Sequence, residues 1–276
     1  WEDIDMNLVR TDLHMHTRAS DGTLTPKELL KEIVEKDIKL FSVTDHDSIG
    51  SLEEMQDLTE EMDIKFIPGV EVSSIINGEQ FHILAYNFDK NNKELMSLIE
   101  NNDRLLQEKD DNSIKQLIDA GYDIDFEDYL AYEHDPSKGG WKTLNFLIDR
   151  GICKNIDEFF NKIFVGERAL KYPDFPHPKE VIETIKKANG IVVLAHPKYG
   201  KSQFKLDEML ELFKNWGVDG IECYHPHHDE DTIKYLVDYC TKNNLIITGG
   251  SDYHGGLISK RSLGTPEFYA KYHLLD

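Results

Sequence analysis

Long apolar runs, paired cysteines and excess positive charge are all missing from this chain of 276 residues. No apolar stretch approaches the roughly 20 residues needed to span a bilayer. The opening Trp1 to Asn7 is acidic, unlike the basic start of a signal peptide, so the sequence reads as soluble, without a membrane partner. The three cysteines, Cys153, Cys223 and Cys240, form no C-x-x-C pair, which argues against a disulfide framework or a zinc ribbon and makes a reducing cytoplasm the expected location. Lysine and arginine number 31 against 52 aspartates and glutamates, a formal charge of −21. Such a balance gives no long-range attraction to a nucleic-acid backbone, so long nucleic acid is excluded as a partner and any nucleotide substrate must be small. What remains is ample for folding: 39% of residues are hydrophobic and 10% aromatic.

Short β-branched or aromatic runs alternate with amphipathic segments, the pattern of an α/β fold with a parallel sheet or barrel. Seven strands are expected: Leu8 to His14, Leu40 to Thr44, Lys65 to Val70, Phe81 to Tyr86, Gly190 to Ala195, Gly217 to Cys223 and Leu245 to Gly249. Thr25-Pro26-Lys27-Glu28 reads as a capping box with proline at the first helical position. Gly190 and Gly217 stand where a left-handed helix terminus belongs. Between residues 91 and 164 the alternation fails and helical patterns (Leu95 to Ala120, Lys142 to Asp149, Ile156 to Phe164) take over. This predicts an inserted helical subdomain at 91–164, flanked by barrel segments 1–90 and 165–276, since loops so long usually carry structure and function.

Imidazoles and carboxylates cluster at the strand ends. His14 and His16 leave the first strand two residues apart, so both point to one side. Asp21 follows in a Ser-Asp-Gly turn, His46 ends the second strand within Thr44-Asp45-His46-Asp47, and Glu71 ends the third. His82 opens the fourth, His196 ends the fifth, and Asp252 and His254 follow the seventh. In a parallel barrel these ends share one rim, where catalytic groups collect. Buried there without cations, such groups would strand unpaired charge at several kcal/mol each, so metal ions are expected. A mixed imidazole and carboxylate shell without cysteine suits a catalytic site for manganese, zinc or iron rather than a structural one.

The segments His14-Met-His16-Thr with Ser20-Asp21-Gly22, Thr44-Asp45-His46-Asp47, Pro68-Gly69-Val70-Glu71, Ala195-His196-Pro197 and Ser251-Asp252-Tyr253-His254 resemble, in order, the motifs of the PHP (polymerase and histidinol phosphatase) superfamily, most nearly its stand-alone bacterial phosphoesterases. The resemblance covers roughly residues 8 to 90 and 165 to 265 and includes the His-rich segment Tyr224 to His228. It implies a distorted (β/α)7, TIM-like barrel with two or three divalent ions (Mn2+, Fe2+ or Zn2+) that hydrolyses phosphoesters. One ion would take His14, His16, Glu71 and Asp252; a second would share Glu71 with His82 and His196; a third would take Asp21, His46 and His254. Many relatives carry an Arg-Pro-His segment in the insertion, where this chain reads Gly139-Gly140-Trp141-Lys142.

Three divalent ions bring about +6 and the ligand carboxylates about −3, leaving a cluster that draws anions inside an acidic protein. A bridging hydroxide attacking a small phosphorylated substrate, a nucleotide or short oligonucleotide, with inorganic phosphate as a product, is the expected reaction. An amidohydrolase-type C–N hydrolase on the same metals, or a metal-binding module without catalysis, are the alternatives. Asp12, Asp45 and Asp47 are expected either to orient ligand imidazoles or to cap turns. His225 or His228 could supply a proton to the leaving group or bind phosphate, and Arg18, Lys198 and Arg261 could meet phosphate oxygens. Tyr132 and Trp141 could stack on a ring or pack a small helical core. His134, His177 and His273 fall outside these motifs.

Overall fold

The structure is a computed structural model that describes residues 8–198 and 202–276; the acidic start Trp1 to Asn7 lies outside them. Eight strands form one sheet: β1 (Leu8–Asp12), β2 (Leu40–Val43), β3 (Lys65–Ile76), β4 (Glu79–Tyr86), β5 (Ile191–Leu194), β6 (Gly220–Tyr224), β7 (Ile246–Gly249) and β8 (Phe268–Lys271), in the order β7-β6-β5-β4-β3-β2-β1-β8. The sheet curls into a nearly closed barrel. Leu13 N–H donates to the Gly249 carbonyl at 3.0 Å, tying the end of β7 back to β1.

Two features depart from the seven-strand parallel expectation. First, β3 continues six residues past Val70 to Ile76 and returns as β4 through Asn77-Gly78, both with positive φ (52° and 79°). An Asn-Gly turn of this hand matches the twist of an antiparallel hairpin, and β4 is antiparallel to both β3 and β5. Second, β8 adds an antiparallel strand beside β1. Its Phe-Tyr-Ala-Lys sequence alternates buried and exposed, the period of a half-buried strand. Six strands therefore run one way, with β4 and β8 reversed.

Burial follows the two-residue period. Leu40, Ile67, Leu84, Tyr86, Val193 and Phe268 fill the barrel interior, while their neighbours Phe41, Ile83, Val192 and Leu194 face outward beneath the helices. The covering helices are α1 (Pro26–Glu35), α2 (Leu52–Thr59), α7 (Pro178–Lys187), α8 (Leu206–Trp216) and α9 (Glu230–Asn243). The Thr25 box forms as expected: Glu28 N–H donates to Thr25 Oγ1 and Thr25 N–H donates to Glu28 Oε2. Gly217 is left-handed (φ 95°) after α8, but after α7 that role falls to Asn189 (φ 58°), one residue before Gly190. Asparagine tolerates this conformation because its short polar side chain bonds locally.

Between β4 and β5 the described chain is helical: α3 (Lys93–Asp119), α4 (Phe126–Ala131), α5 (Lys142–Asp149) and α6 (Ile156–Glu158), the last continued by a π-turn over Phe159–Ile163. These elements pack around their own apolar cluster, which includes Ile114, Leu117, Tyr129, Phe146 and Phe159. Among the described residues no helix is long and apolar enough to cross a membrane.

Candidate metal centre and substrate cavity

Glu71 lies within β3 rather than at its end, on the same inward parity as Ile67. His82, on reversed β4, shares the inward parity of Leu84 and Tyr86 and pairs in register with Ser73. A strand that runs backwards brings its early residues to the rim where parallel strands end. His14 and His16 follow β1, where the ladder persists beyond the strand: His16 N–H donates to Tyr253 O, Asp252 N–H to His14 O, and Thr44 N–H to Met15 O, all between 2.8 and 2.9 Å. His196 and Asp252 adopt positive φ (25° and 48°), uncommon for residues other than glycine and concentrated at functional sites.

All nine residues expected as ligands meet at this rim. Glu71 Oε2 stands 3.0 Å from His14 Nε2, 3.3 Å from His16 Nε2 and 3.2 Å from His46 Nδ1. Its other oxygen stands 2.8 Å from His82 Nδ1 and 3.0 Å from His196 Nε2. Asp252 Oδ1 lies 3.2 Å from His16 Nε2 and 3.6 Å from His14 Nε2, and Asp21 Oδ2 lies 3.3 Å from His254 Nε2. Three groups bring their donor atoms within 4.8 Å of one another: His14, His16, Glu71 and Asp252; His16, Asp21, His46 and His254; and His46, Glu71 and His82. His16 and His46 thus each stand in two groups, a sharing that motif spacing did not reveal.

The donor set fits divalent metal ions. Both nitrogens of buried His16, Nδ1 of His82 and Oδ1 of Asp252 lack hydrogen-bond partners, although buried polar atoms ordinarily have one. The rings of His16 and His254 have centroids 4.1 Å apart, and those of His16 and His46 4.5 Å. Burial opposes charge on His14, yet Glu71, Glu222 and Asp252 hold it well above its ordinary pKa. Burial likewise opposes charge on His16, but the carboxylates of Asp252, Glu71 and Asp21 beside it push it up to about 10. His46, where burial prevails over Glu71 and Asp21, is pushed down to about 3. Glu71 and Asp252 are held well below the carboxylate range by the surrounding imidazoles, against burial. Without a metal, protons must compensate these carboxylates; cations bound there displace those protons.

Sequence reasoning missed Glu222. It is fully buried on β6, places Oε1 2.9 Å from His14 Nδ1, and accepts the His196 N–H at Oε2 (2.8 Å). The signal was a lone carboxylate in the apolar run Gly-Ile-Glu-Cys. Asp12, Asp45 and Asp47 serve other partners. Asp12 accepts the backbone N–H groups of His14, Ser251 and Gly264; Asp45 accepts from Thr17, Ser20 and Ser51; Asp47 accepts from Ser73 N–H and Asn102. Among the described residues none of the three hydrogen-bonds an imidazole; each ties together the loops that carry the candidate ligands.

A cavity of about 420 Å³ opens over the cluster, within the range of small-molecule sites. Its floor includes Asp21, His46, Glu71, His82, His196, Asp252 and His254, and its opposite wall comes from the helical segment, including Lys109, His134, Trp141 and Phe160. Arg261 lines it while its guanidinium contacts Asp252 Oδ2 at 2.5 Å. The described walls do not include Arg18, Lys198, His225 or His228. Arg18 holds its own turn through Thr23 O and Glu28, and Lys198 donates to Thr232 Oγ1. His225 Nε2 stands 3.2 Å from Asp252 Oδ2, and His228 Nδ1 stands 2.9 Å from Cys223 O, so both sit behind the candidate ligands. Tyr132 packs on Phe146, its hydroxyl donating to Asp149, whereas Trp141 packs on Phe159 and also faces the cavity. His177 caps α7, and His273 is exposed beside Asp276.

Residues 12–145 match the PHP domain family. Over that segment the chain resembles the PHP domain family. The chain is 28% identical to a 5'-3' exoribonuclease of Haemophilus influenzae, with 88% of this chain and 89% of the relative covered. It is 26% identical to a phosphoribosyl 1,2-cyclic phosphate 1,2-diphosphodiesterase of Eggerthella lenta (88% and 94% covered) and to a 3',5'-nucleoside bisphosphate phosphatase of Chromobacterium violaceum (94% and 92%). Among solved structures, a candidate metal-dependent phosphoesterase from Bifidobacterium adolescentis superposes with a TM-score of 0.79 at 26% identity, over 92% of this chain and 91% of that one. An amidohydrolase from Chromobacterium violaceum, with sulfate bound and no metal, gives 0.77 at 26% identity (89% and 87% covered). The chain thus combines a barrel like those of these neighbours with a His, Asp and Glu cluster that suggests divalent metals.

Proposed function

We propose that this metal-dependent PHP phosphoesterase hydrolyses a small phosphorylated molecule, a nucleotide or short oligonucleotide, releasing inorganic phosphate when the ester is terminal. The observation that carries the reading is the crowding at Glu71, whose two oxygens lie within 3.3 Å of nitrogens from five imidazoles. The two oxygens of one carboxylate cannot satisfy five ring nitrogens at once, whereas two or three divalent cations would take up the ring lone pairs and balance the carboxylates. His14, His16, Glu71 and Asp252 would hold one ion; Glu71 with His82 and His196 a second; and Asp21, His46 and His254 a third, with Mn2+, Fe2+ and Zn2+ all compatible with the nitrogen and oxygen donors. Bound there, divalent ions supply Lewis acidity and activate water for attack on phosphorus.

The chain's own residues hold this arrangement in place. Glu222 fixes the ring of His14, and Arg261 fixes Asp252 while presenting positive charge to the cavity. His225 acts through Asp252 rather than on the leaving group, because it stands behind that carboxylate. Residues of the helical segment, among them Lys109 and Trp141, line the cavity opposite the candidate ligands, and a volume of about 420 Å³ suits a small ester.

Purified protein loaded with each metal in turn should release phosphate from an aryl phosphate and from members of a nucleotide panel, and a chelator should abolish the release. Fully metallated protein that is inert across the panel would refute this reading.

A further inference from the structure

We propose that the helical segment between β4 and β5 is the scaffold of the third ion site, so that seating of its Gly139-Gly140 turn and binding of an ion by Asp21, His46 and His254 reinforce each other. The inference rests on the three-ion reading of the metal centre and adds to it a positioning role for Gly139, Gly140 and Asn145.

The candidate ligands differ in what holds them. Glu71 lies inside β3, and His14 is framed by backbone bonds at the end of β7, from Leu13 N–H to Gly249 O and from Asp252 N–H to His14 O. These are barrel positions. Asp21 and His254 stand instead in loops beyond the sheet, and each loop is tied to the helical segment. Gly140 N–H donates to the Asp21 carbonyl at 2.7 Å. Leu257, on the loop of His254, packs against the apolar cluster of the helices. The loop of His46 receives a third tie from α3, where Asn102 Nδ2 donates to Asp47 Oδ1 at 2.8 Å.

The loops of Asp21 and His254 also meet each other beside this turn. Thr23 N–H donates to the His254 carbonyl at 3.1 Å, and Thr23 Oγ1 donates to the Gly255 carbonyl. A Cβ on Gly139 would stand 2.7 Å from Thr23 Cγ2 and 3.0 Å from Asp21 O. Gly139 has φ 67° and ψ −176°, a conformation essentially confined to glycine. The turn therefore reaches the junction as bare backbone. From the helical side, buried Asn145 of α5 donates through Nδ2 to the carbonyls of Gly139 (2.7 Å) and Trp141 (3.2 Å), which fixes the turn.

Charge and exposure explain why this site needs a scaffold. The affinity of an ion site follows the charge of its ligands and the rigidity of their frame. His14, His16, Glu71 and Asp252 bring two carboxylates, and their side chains are at most 6% exposed. Asp21, His46 and His254 bring one, and the side chains of Asp21 and His46 are 18% and 23% exposed toward the cavity. With less charge and more solvent, binding there depends on how firmly the three loops are held. Linkage makes the effect reciprocal: what the seated turn adds to the affinity for the ion, the bound ion adds to the seating of the turn.

The test titrates Mn2+ into chelator-treated parent, Asp21→Ala, Gly139→Ala and Asn145→Ala. Calorimetry reads each binding step, and hydrogen exchange reads the peptides of residues 136–145. The step lost in Asp21→Ala identifies the third ion. In Gly139→Ala and Asn145→Ala that step should weaken about 10-fold, an ordinary size for coupling between sites, while the other steps stay within about twofold. Asn145→Ala introduces no clash and carries the test if Gly139→Ala does not fold. In the parent, exchange over 136–145 should slow as that step fills; in Asp21→Ala it should stay fast. Equal weakening of every step, no weakening of the third, a parent without a step sensitive to Asp21, or exchange over 136–145 that ignores the metal would each overturn the inference. Neither readout uses a substrate. A parent that shows the coupled step yet hydrolyses no ester would refute the hydrolytic reading and leave this inference standing.

Discussion

Glu222 Oε1 stands 2.9 Å from His14 Nδ1, leaving the opposite nitrogen of the ring to face Glu71 and Asp252. A carboxylate behind a ligand imidazole fixes its tautomer and orientation and raises its basicity; removing such a partner typically costs 10- to 100-fold in metal affinity. Glu222→Ala should therefore weaken divalent binding by about that factor, measured by competition with a chromophoric chelator. Unchanged affinity would remove Glu222 from the account.

Gly250 makes a second prediction because its neighbour is the same histidine. A Cβ at this position would lie 2.3 Å from His14 Cβ and 2.6 Å from His14 N. No side-chain rotation relieves a contact with backbone, so Gly250→Ala must displace His14. A loss of about 1–3 kcal/mol in urea unfolding, the usual cost of overpacking, together with reduced metal content, is expected. Wild-type stability and full metal content in the variant would contradict this placement.

Asn102 connects the long helix α3 to the ligand loop. Its Nδ2 donates to Asp47 Oδ1 and to Ser73 O, each at 2.8 Å, in a fully buried setting. Asn102→Leu leaves those acceptors short of a donor and should destabilise the protein by about 1–3 kcal/mol. Urea titration of chelator-treated protein reads this directly, and a midpoint equal to that of the parent would show the link to be idle.

The pH dependence of stability has a defined sign at Asp110. Burial raises its carboxyl above the ordinary 3.8, and Lys109 and the Thr143 N–H offset this only in part. A raised folded pKa contributes stability that is fully present below the ordinary value and is lost as pH rises through the raised one. Asp110→Asn removes that loss. Its unfolding midpoint should exceed the parent's at neutral pH, and the difference should shrink as the pH falls toward 4, within the ordinary carboxylate range. A gain independent of pH, or a larger gain in acid, would reverse the assignment.

Legibility in the sequence depended on whether a residue's role was local. The capping box at Thr25 is a contact between residues three apart, and both of its bonds are present. The motif histidines and carboxylates could be placed at one rim because a barrel gathers its strand ends whatever their separation in the chain. The reversal of β4 was also written locally, in Asn77-Gly78, but an expected strand end at Val70 hid the hairpin signal. β8 was overlooked because a four-residue alternation near the end of the chain is a weak pattern. Glu222 illustrates the harder limit. Its partners His14 and His196 lie 208 and 26 residues away, and nothing in its own strand distinguishes a ligand-orienting carboxylate from any other buried acid. Arg18 and Lys198 failed to reach the cavity for a related reason, since adjacency in sequence to a ligand motif does not fix the direction of a long side chain.

The most direct test of the central claim is phosphate-ester hydrolysis measured against bound divalent metal per chain, from chelator-treated protein to saturation. The account predicts no turnover at zero metal, a rise that continues beyond one ion per chain, and loss of both metal and turnover in Glu71→Ala. Undiminished hydrolysis by protein without divalent metal, or full metal content and turnover in Glu71→Ala, would contradict it.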